Sequence, residues 1–215
     1  IKMKKLTILI ICGLFSLSTS VLAGGMIGVK YGTGDLEGTS KSYTAVNTTY
    51  AGISASKDAE FGALFAELNI KESPISIGLE YVPFDADISL NGAQSGVSAN
   101  LDEYTTLYLL AMHDLSAFSI YAKAGLSSAD IGSVKHGSPD GTTTINSQST
   151  ELEGNMYGIG IQTKELPFGL VGRLEYTMTE FDEISVTTTS NGSPSVTKKA
   201  DGELETVTIG LAKTF

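Results

Sequence analysis

Apolar residues recur at every second position in eight separate segments of this 215-residue chain. A period of two is typical of a β-strand, because successive side chains of a strand point to opposite faces. Each segment is about ten residues long, which is the length that a tilted strand needs to cross a bilayer. The eight predicted strands cover residues 26–33, 60–70, 75–84, 103–112, 118–127, 155–164, 170–181 and 203–215.

The connections between these segments alternate in length. Three are short, at residues 71–74, 113–116 and 165–167. Four are long and rich in Gly, Ser, Thr and Asn, at residues 34–59, 85–102, 128–154 and 182–202. Strands that run alternately up and down place all short connections, and both termini, at one end. The rhythm predicts an eight-stranded antiparallel up-and-down transmembrane β-barrel over residues 24–215.

One face of each predicted strand is apolar, and the other carries Gly, Ser, Thr and a few charged residues. A soluble sandwich buries its apolar faces, whereas a membrane barrel turns them toward lipid, and the loop rhythm favours the barrel. The strand at 103–112 is ambiguous, since Tyr104, Tyr108 and Leu110 compete with Leu107 and Leu109. Predicted lipid-facing positions on the other strands include Ile27, Val29, Tyr31, Leu64, Leu68, Ile75, Ile77, Leu79, Ile120, Leu126, Ile159, Ile161 and Leu174.

This facing directs three cations and three anions into the interior. They are Lys30, Glu67, Glu80, Lys123, Arg173 and Glu175. Eight strands enclose a space that side chains can fill, and a balanced set of charges there can pair, whereas isolated charges are costly. We therefore predict a lumen plugged by an ion-pair network, with a gated ion path as the alternative.

A secretory signal is predicted for residues 1–23. Met3, Lys4 and Lys5 give a basic start, residues 6–17 are apolar, and the small-residue positions before Gly24 fit cleavage there. The apolar run is too short to span a bilayer comfortably. Cys12, the only cysteine, lies inside this segment, so the predicted mature chain has no disulfide and no thiolate metal site.

Acidic residues outnumber basic residues by 24 to 14, giving a net charge of −10. Such a surface repels nucleic acid, which excludes that class of partner. Many of the carboxylates form pairs two residues apart at the loop ends of the predicted strands, which predicts an acidic collar. A solvated rim and a rim that binds Ca²⁺ or Mg²⁺ are both compatible with the pattern. The pairs are Asp35/Glu37, Asp58/Glu60, Asp85/Asp87, Glu151/Glu153, Glu180/Asp182 and Glu203/Glu205.

The chain ends in a strand, GELETVTIGLAKTF, whose apolar face carries Val207, Ile209, Leu211 and the terminal Phe215, interrupted by Lys213. Together with the secretory signal and the eight alternating strands, this ending resembles the small outer-membrane β-barrels of Gram-negative bacteria, the OmpA/OmpX-like group. The resemblance implies a location in the cell outer membrane, in contact with its lipid and lipopolysaccharide. It also implies that these four residues form the signal read by the barrel-assembly machinery, after transit with periplasmic chaperones.

A structural or surface-interaction protein of the adhesion type, working through its extracellular loops, is the function that the sequence favours. A narrow channel or carrier for small hydrophobic molecules is the alternative. A lipid-modifying enzyme is less favoured: His136-Gly137-Ser138 loosely resembles a catalytic pair, but Pro139 and Asp140 follow at once, as in a loop turn. We predict no enzyme activity, no cofactor and no dedicated metal site.

Deletion of Phe215 is expected to leave export intact but to impair insertion into the outer membrane, because the terminal aromatic is the predicted assembly signal. Cell fractionation and heat-modifiable gel migration measure this, and Phe215→Tyr, which keeps an aromatic terminus, is the control. Normal amounts of heat-modifiable protein in the deletion variant would contradict the assigned role.

Overall fold

A computed structural model describes residues 22–45, 48–83, 86–90, 97–131, 135–136, 150–188 and 196–215. These residues are almost entirely strand, with one short 3-10 turn at Pro167–Gly169. The strands are β1 Leu22–Ser40, β2 Tyr43–Ala45, β3 Thr48–Tyr50, β4 Ile53–Ile70, β5 Ile75–Val82, β6 Ala86–Leu90, β7 Val97–Asp114, β8 Phe118–Ile131, β9 Lys135–His136, β10 Thr150–Thr163, β11 Leu170–Thr188 and β12 Val196–Thr214.

Eight of these strands close into one antiparallel barrel. The order around it is β1, β4, β5, β7, β8, β10, β11 and β12, and β12 pairs back onto β1. The short strands lie in the long loops, where β6 and β9 pair with β7, and β2 pairs with β3. The predicted eight-stranded up-and-down barrel is confirmed. In the described part of the chain, no helix is long and apolar enough to cross a membrane.

The outer wall of the barrel is an exposed apolar belt. Ile209 is 66% exposed, and Leu126 and Ile159 are each 63% exposed, although such side chains are usually buried. On β12 the belt lies between Glu205 and Lys213, which is about 26 Å of strand at 3.3 Å per residue. A tilt of about 40° reduces this to a height of roughly 20 Å, comparable to the apolar band of membrane barrels. The belt is a surface for lipid.

Seven of the eight barrel strands are longer than predicted. β1, β11 and β12 each have 19 residues, and β4 and β7 have 18. Their outer parts carry charged and small polar residues, so the apolar alternation stops at the edge of the belt while the backbone pairing continues. The strand predicted at 75–84 ends at Val82, and Phe84 lies outside the described residues.

The ambiguous strand, β7, turns Tyr108 and Leu110 into the interior, and Leu109 faces outward. Its pairing with β8 is interrupted by a bulge between Asp102 and Thr105. Both faces of β7 are apolar because its inward residues join an interior cluster with Tyr121 and Met156. The structure thus resolves the facing that the sequence left open on β7. Tyr121 on β8 and Met156 on β10 depart from the Gly, Ser, Thr and charged residues predicted for inward positions.

We call the end with the short connections the turn end, and the opposite end the loop end. The chain closes the barrel at the turn end, where the backbone N–H of Gly25 donates to the carbonyl of Phe215 at 3.1 Å, and the N–H of Phe215 donates to Gly25 at 3.0 Å. The terminal residue is therefore part of the closing seam. Residues 1–21 of the predicted signal lie outside the described residues, so the signal stays a prediction.

Four strands continue past the belt at the loop end as a protruding sheet, in the order β4, β1, β12, β11. Here β1 pairs with β4 and β12 as far as Ser40, and β11 pairs with β12 as far as Thr188. The ladder between β4 and β5 begins only at Leu64, and the ladder between β10 and β11 ends at Phe181. The outer parts of β4 and β11 are therefore the two edges of this sheet.

A bulge in β11 between Phe181 and Ile184 directs Glu183 toward two lysines of the protruding sheet. Its carboxylate accepts from Lys41 Nζ at 2.5 Å and from Lys199 Nζ at 2.6 Å. These hydrogen bonds, first from Lys199 and then from Lys41, hold the pKa of Glu183 below its usual value. The cluster ties β11 to β12 and to the end of β1, far from the apolar belt.

Acidic residues of the predicted collar lie directly opposite one another across the strands. Asp35 stands opposite Asp58 on β4 and Glu205 on β12, and Glu203 stands opposite Glu37 and Glu180. Like charges in such positions destabilise a sheet. Among the described residues, no group of three or more His, Cys, Asp or Glu is arranged to hold a metal ion. Asp85 lies outside the described residues.

Replacement of Glu203 by Gln is expected to raise the urea midpoint of unfolding at low ionic strength, because it removes two cross-strand repulsions of roughly 0.2–1 kcal/mol each. The gain is expected to shrink near 1 M salt, where the screening length falls to about 3 Å. Glu153→Gln is the matched control, since Glu153 faces Ser128 across the ladder with β8. An equal gain in both variants, or a gain that salt does not change, would speak against the repulsion.

Candidate functional site

The strongest concentration of buried charge lies in the middle of the barrel. All six charged residues that were predicted to face the interior are buried there. They come from five strands around the ring: Lys30 from β1, Glu67 from β4, Glu80 from β5, Lys123 from β8, and Arg173 and Glu175 from β11. Strand alternation accounts for the placement, because each residue lies between two outward-facing neighbours.

Four of the six form a square of alternating charge. Lys30 Nζ lies 2.7 Å from Glu80 Oε2 and 2.6 Å from Glu175 Oε1. Lys123 Nζ lies 3.0 Å from Glu80 Oε2 and 2.7 Å from the same Glu175 oxygen. Each carboxylate thus bridges two ammonium groups, and each ammonium group bridges two carboxylates. The square joins β1, β5, β8 and β11 across the lumen.

Arg173 and Glu67 form a separate, bidentate pair. Arg173 Nη1 lies 2.6 Å from Glu67 Oε1, and Nη2 lies 2.7 Å from Oε2. The remaining Nε–H donates to Gln162 Oε1 at 2.7 Å. Parallel hydrogen bonds between a guanidinium and a carboxylate are among the stronger polar contacts in proteins. Of the three carboxylates in the network, Glu67 is therefore the partner of Arg173.

Three aromatic side chains connect the square to the bidentate pair. Tyr108 donates its hydroxyl to Glu67 at 2.7 Å, and Tyr121 donates to Glu175 at 2.9 Å. The ring of Tyr108 lies 4.6 Å from Lys123 Nζ, and the ring of Tyr121 lies 4.9 Å from the Arg173 guanidinium carbon. The Phe65 ring lies 4.9 Å from Lys30 Nζ and 5.2 Å from Arg173. These contacts combine cation–π attraction with the exclusion of water.

A glycine stands directly opposite each of these aromatic residues on the neighbouring strand. Gly28 faces Phe65, Gly78 faces Tyr108, and Gly160 faces Tyr121. A Cβ atom on these glycines would lie only 2.6, 2.3 and 2.3 Å from the respective ring. Each ring thus occupies space that any other residue would fill. Sequence reasoning missed the aromatic residues of the network, and the inward glycines are the signal that points to them.

Uncharged layers border the network. Tyr104 lies 3.0 Å from Ser127 Oγ and 2.8 Å from Thr179 Oγ1, and Thr106 lies 2.8 Å from Ser127. An apolar cluster of Met26, Phe65, Val171 and Ala212 adjoins the network through the Phe65 ring. In the described residues, Thr208 Oγ1 is the one buried side-chain oxygen or nitrogen without a partner. The lumen is therefore filled with paired polar and apolar side chains through the middle of the barrel.

Chemically, this arrangement can hold the interior charges of the barrel in paired form. A hydrated ion that passed along the barrel axis would have to displace several short ion pairs at once. The two histidines lie away from the network: His113 is exposed near the turn end of β7, and His136 lies on β9, which pairs with β7 at the loop end. Ser138, the other half of the sequence pattern at His136, lies outside the described residues.

Replacement of Arg173 by Ala is expected to lower the urea midpoint of the folded barrel, because Glu67 then stays buried without its cation. Loss of one partner of a buried pair costs on the order of 3–5 kcal/mol, less if water enters. Heat-modifiable migration after urea incubation measures the effect. Lys164→Ala, which removes an exposed pair with Asp114 at 2.9 Å, is the matched control and should change the midpoint little. Equal midpoints for Arg173→Ala and the parent would count against the network as the stabilising element.

No protein-family profile matches the chain, and no curated protein matches it in sequence. Solved structures do match. The outer membrane protein AlkL in DMPC bilayers gives a TM-score of 0.54 at 14% identity, covering 93% of this chain and 94% of AlkL. The outer membrane protease OmpT from Escherichia coli gives 0.52 at 11% identity, covering 90% and 97%. At these identities the likeness concerns the fold, and the protein has the fold of the small outer-membrane β-barrels of Gram-negative bacteria.

Proposed function

We propose that this protein is an outer-membrane barrel with a closed lumen that serves as a rigid base for surface interaction. The observation that carries the proposal is the interior network of six paired charges and three aromatic rings, which spans the lumen between six strands. A barrel that is filled in this way presents its loop end, and not its axis, to other molecules. The function belongs to the structural and adhesive class, as the sequence predicts.

The protruding sheet supports the second half of the proposal. It extends β1, β4, β11 and β12 beyond the belt, and its edges are the outer parts of β4 and β11. An edge strand offers unpaired backbone donors and acceptors, to which an extended partner segment can add by β-augmentation. We propose that a surface ligand binds at the loop end in this way.

Several further parts of the proposal come from the sequence. Residues 1–23 direct export, and Phe215 with Leu211, Ile209 and Val207 forms the signal for the barrel-assembly machinery, with periplasmic chaperones acting before it. The exposed apolar belt and the three outward residues of β12 support contact with outer-membrane lipid. The acidic collar then lies at the level of the lipopolysaccharide headgroups.

The proposal assigns no catalytic activity and no cofactor. OmpT is a protease by its name, but at 11% identity its likeness to this chain extends only to the fold. A narrow channel or a carrier for small hydrophobic molecules is the rival class, and a measurement of conductance distinguishes a channel from a closed lumen. The filled interior layers argue against a channel and against a carrier, since each of these functions needs a continuous path through the lumen.

In planar bilayers the unmodified protein is expected to pass only small and rare currents, because its interior charges are paired. Arg173→Ala is expected to raise the frequency of these currents, since it opens the bidentate pair, and Lys164→Ala is expected to leave it unchanged. Large, stable conductance by the unmodified protein would overturn the closed lumen.

Removal of the outer half of the hairpin between β11 and β12 is expected to abolish surface binding while leaving the barrel folded. The variant joins Asp182 to Asp201 through an Asn-Gly turn, which suits a two-residue hairpin. Cells that display it are compared with cells that display the parent, on a panel of immobilised glycans and extracellular proteins. A deletion of residues 141–147, within the connection that the sequence predicts at residues 128–154, is the control. If cells that display the parent protein bind no better than cells without it, the interaction role is wrong, even if the barrel passes no current.

A further inference from the structure

The outer part of β4, residues 53–63, is an unpaired edge at the loop end of the barrel. On one side it pairs with β1, as far as Ile53 opposite Ser40. On the other side its ladder with β5 begins only at Leu64, because β5 ends at Val82 and the next strand, β6, pairs with β7. Among the described strands, none is therefore paired with this side of residues 53–63. Such an edge presents a row of backbone N–H and C=O groups to which another chain can pair.

This edge is regular, whereas the β11 edge of the protruding sheet is not. The ladder between β4 and β1 has no register shift from Gly25 to Ser40, so the backbone groups of β4 follow one another at constant spacing. On β11 the bulge between Phe181 and Ile184 interrupts the ladder with β12, and a bulge bends a strand and increases its twist. Of the two edges, β4 is the longer and more regular template for an added strand.

Carboxylates line the outer face of the β4 edge, which continues the lipid-facing wall. Tyr31 on that wall donates its hydroxyl to Glu60 at 2.8 Å, so the even-numbered residues of β4 lie on this face. Asp58 and Glu60 are exposed there, and Asp35 stands opposite Asp58 on β1. Lys57, the one basic residue in the sequence of this segment, belongs to the opposite, inner face. The ion pairs among the described residues leave Asp35 and Asp58 without a cation.

The inner face of the protruding sheet, which continues the lumen side of the barrel, is mainly apolar beside this edge. Phe61, Leu36 and Leu204 are half-buried there. Among the described residues, a Cβ atom added to Gly38 would meet no atom within 4 Å, so space is open above this part of β1. Apolar side chains of an added strand fit the inner face, and basic side chains fit the outer face.

We propose that residues 53–63 bind an extended peptide in which Lys or Arg alternates with apolar residues. Ladder hydrogen bonds attach the extended backbone, and the alternation places every cation on the side of Asp58 and Glu60, where opposite charges on neighbouring strands attract. A second copy of the chain does not fit, because its own Asp58 and Glu60 would approach the same residues. The inference rests on the proposed surface role and extends it to the edge that truncation of the hairpin between β11 and β12 leaves in place.

Synthetic peptides of equal length test this chemistry with the protein in phosphatidylcholine vesicles, and vesicles without protein are the control for lipid binding. One fluorescent peptide alternates Lys and Val, a second alternates Glu and Val, and a third carries Lys and Val in two separate blocks. We expect the alternating Lys peptide to bind and the other two to bind roughly tenfold more weakly, the combined effect of two or three cross-strand charge pairs. Equal binding of the block peptide would show attraction by net charge without strand addition. That result, or no binding by any of the three peptides, would overturn the proposal.

Charge reversal at matched positions tests the location of the bound peptide. Asp58→Lys is expected to weaken binding roughly tenfold, since it replaces attraction by repulsion. Asp182→Lys, which changes the net charge equally at the β11 edge, is expected to leave binding nearly unchanged. Hydrogen exchange is expected to show that the peptide protects the backbone amides of residues 53–63, also in the variant with the truncated hairpin.

Three results would overturn the assignment to β4. They are an equal loss of binding in both charge-reversal variants, protection of residues 182–188 in place of residues 53–63, and protection of residues 53–63 before any peptide is added. The last result would show that another part of the chain already covers the edge. None of them decides the proposed function, which truncation of the hairpin between β11 and β12 tests separately.

Discussion

The pairing of the six charges that the structure describes inside the barrel is the constraint on which the rest of this structure depends. Eight strands fix the interior to a width that side chains can fill, and the apolar belt commits one face of every strand to lipid. Arg173, Glu67 and the four members of the square thus have no direction in which to point except inward. Buried charges are tolerated only when they are paired and hydrogen-bonded. The network meets that condition with two linked units of zero net charge.

Aromatic rings and glycines make this pairing geometrically feasible. The hydroxyls of Tyr108 and Tyr121 satisfy the carboxylates of Glu67 and Glu175, while their rings lie against Lys123 and Arg173. Glycines opposite the rings provide the space. Because each unit touches the other through these rings, we expect disruption of one ion pair to loosen the whole layer.

The sequence predicts the barrel, the order of its strands and the interior position of the six charged residues, because alternation is a direct record of which face meets lipid. The sequence-based prediction fails where the alternation of apolar and polar residues ends. Strands β1 and β12 extend far beyond the belt. There the outward face carries charged residues such as Asp35 and Glu205, so the sequence no longer alternates between apolar and polar residues. On β7 both faces are apolar, so the alternation does not reveal which face points inward. The partners of each charge depend on strand register and on shear around the ring, neither of which the pattern contains.

A double-mutant cycle between Arg173 and Glu67 tests the central claim most directly, because it measures the coupling of two side chains 106 positions apart in sequence. Arg173→Met, Glu67→Gln and the double variant are compared with the parent by urea unfolding in lipid vesicles. The closed network predicts that the double variant is less destabilised than the sum of the single variants, by a coupling energy within the roughly 0.5–3 kcal/mol range of directly interacting residues. Additivity within about 0.3–0.5 kcal/mol, the behaviour of independent sites, would contradict the claim that this pair belongs to a coupled interior network.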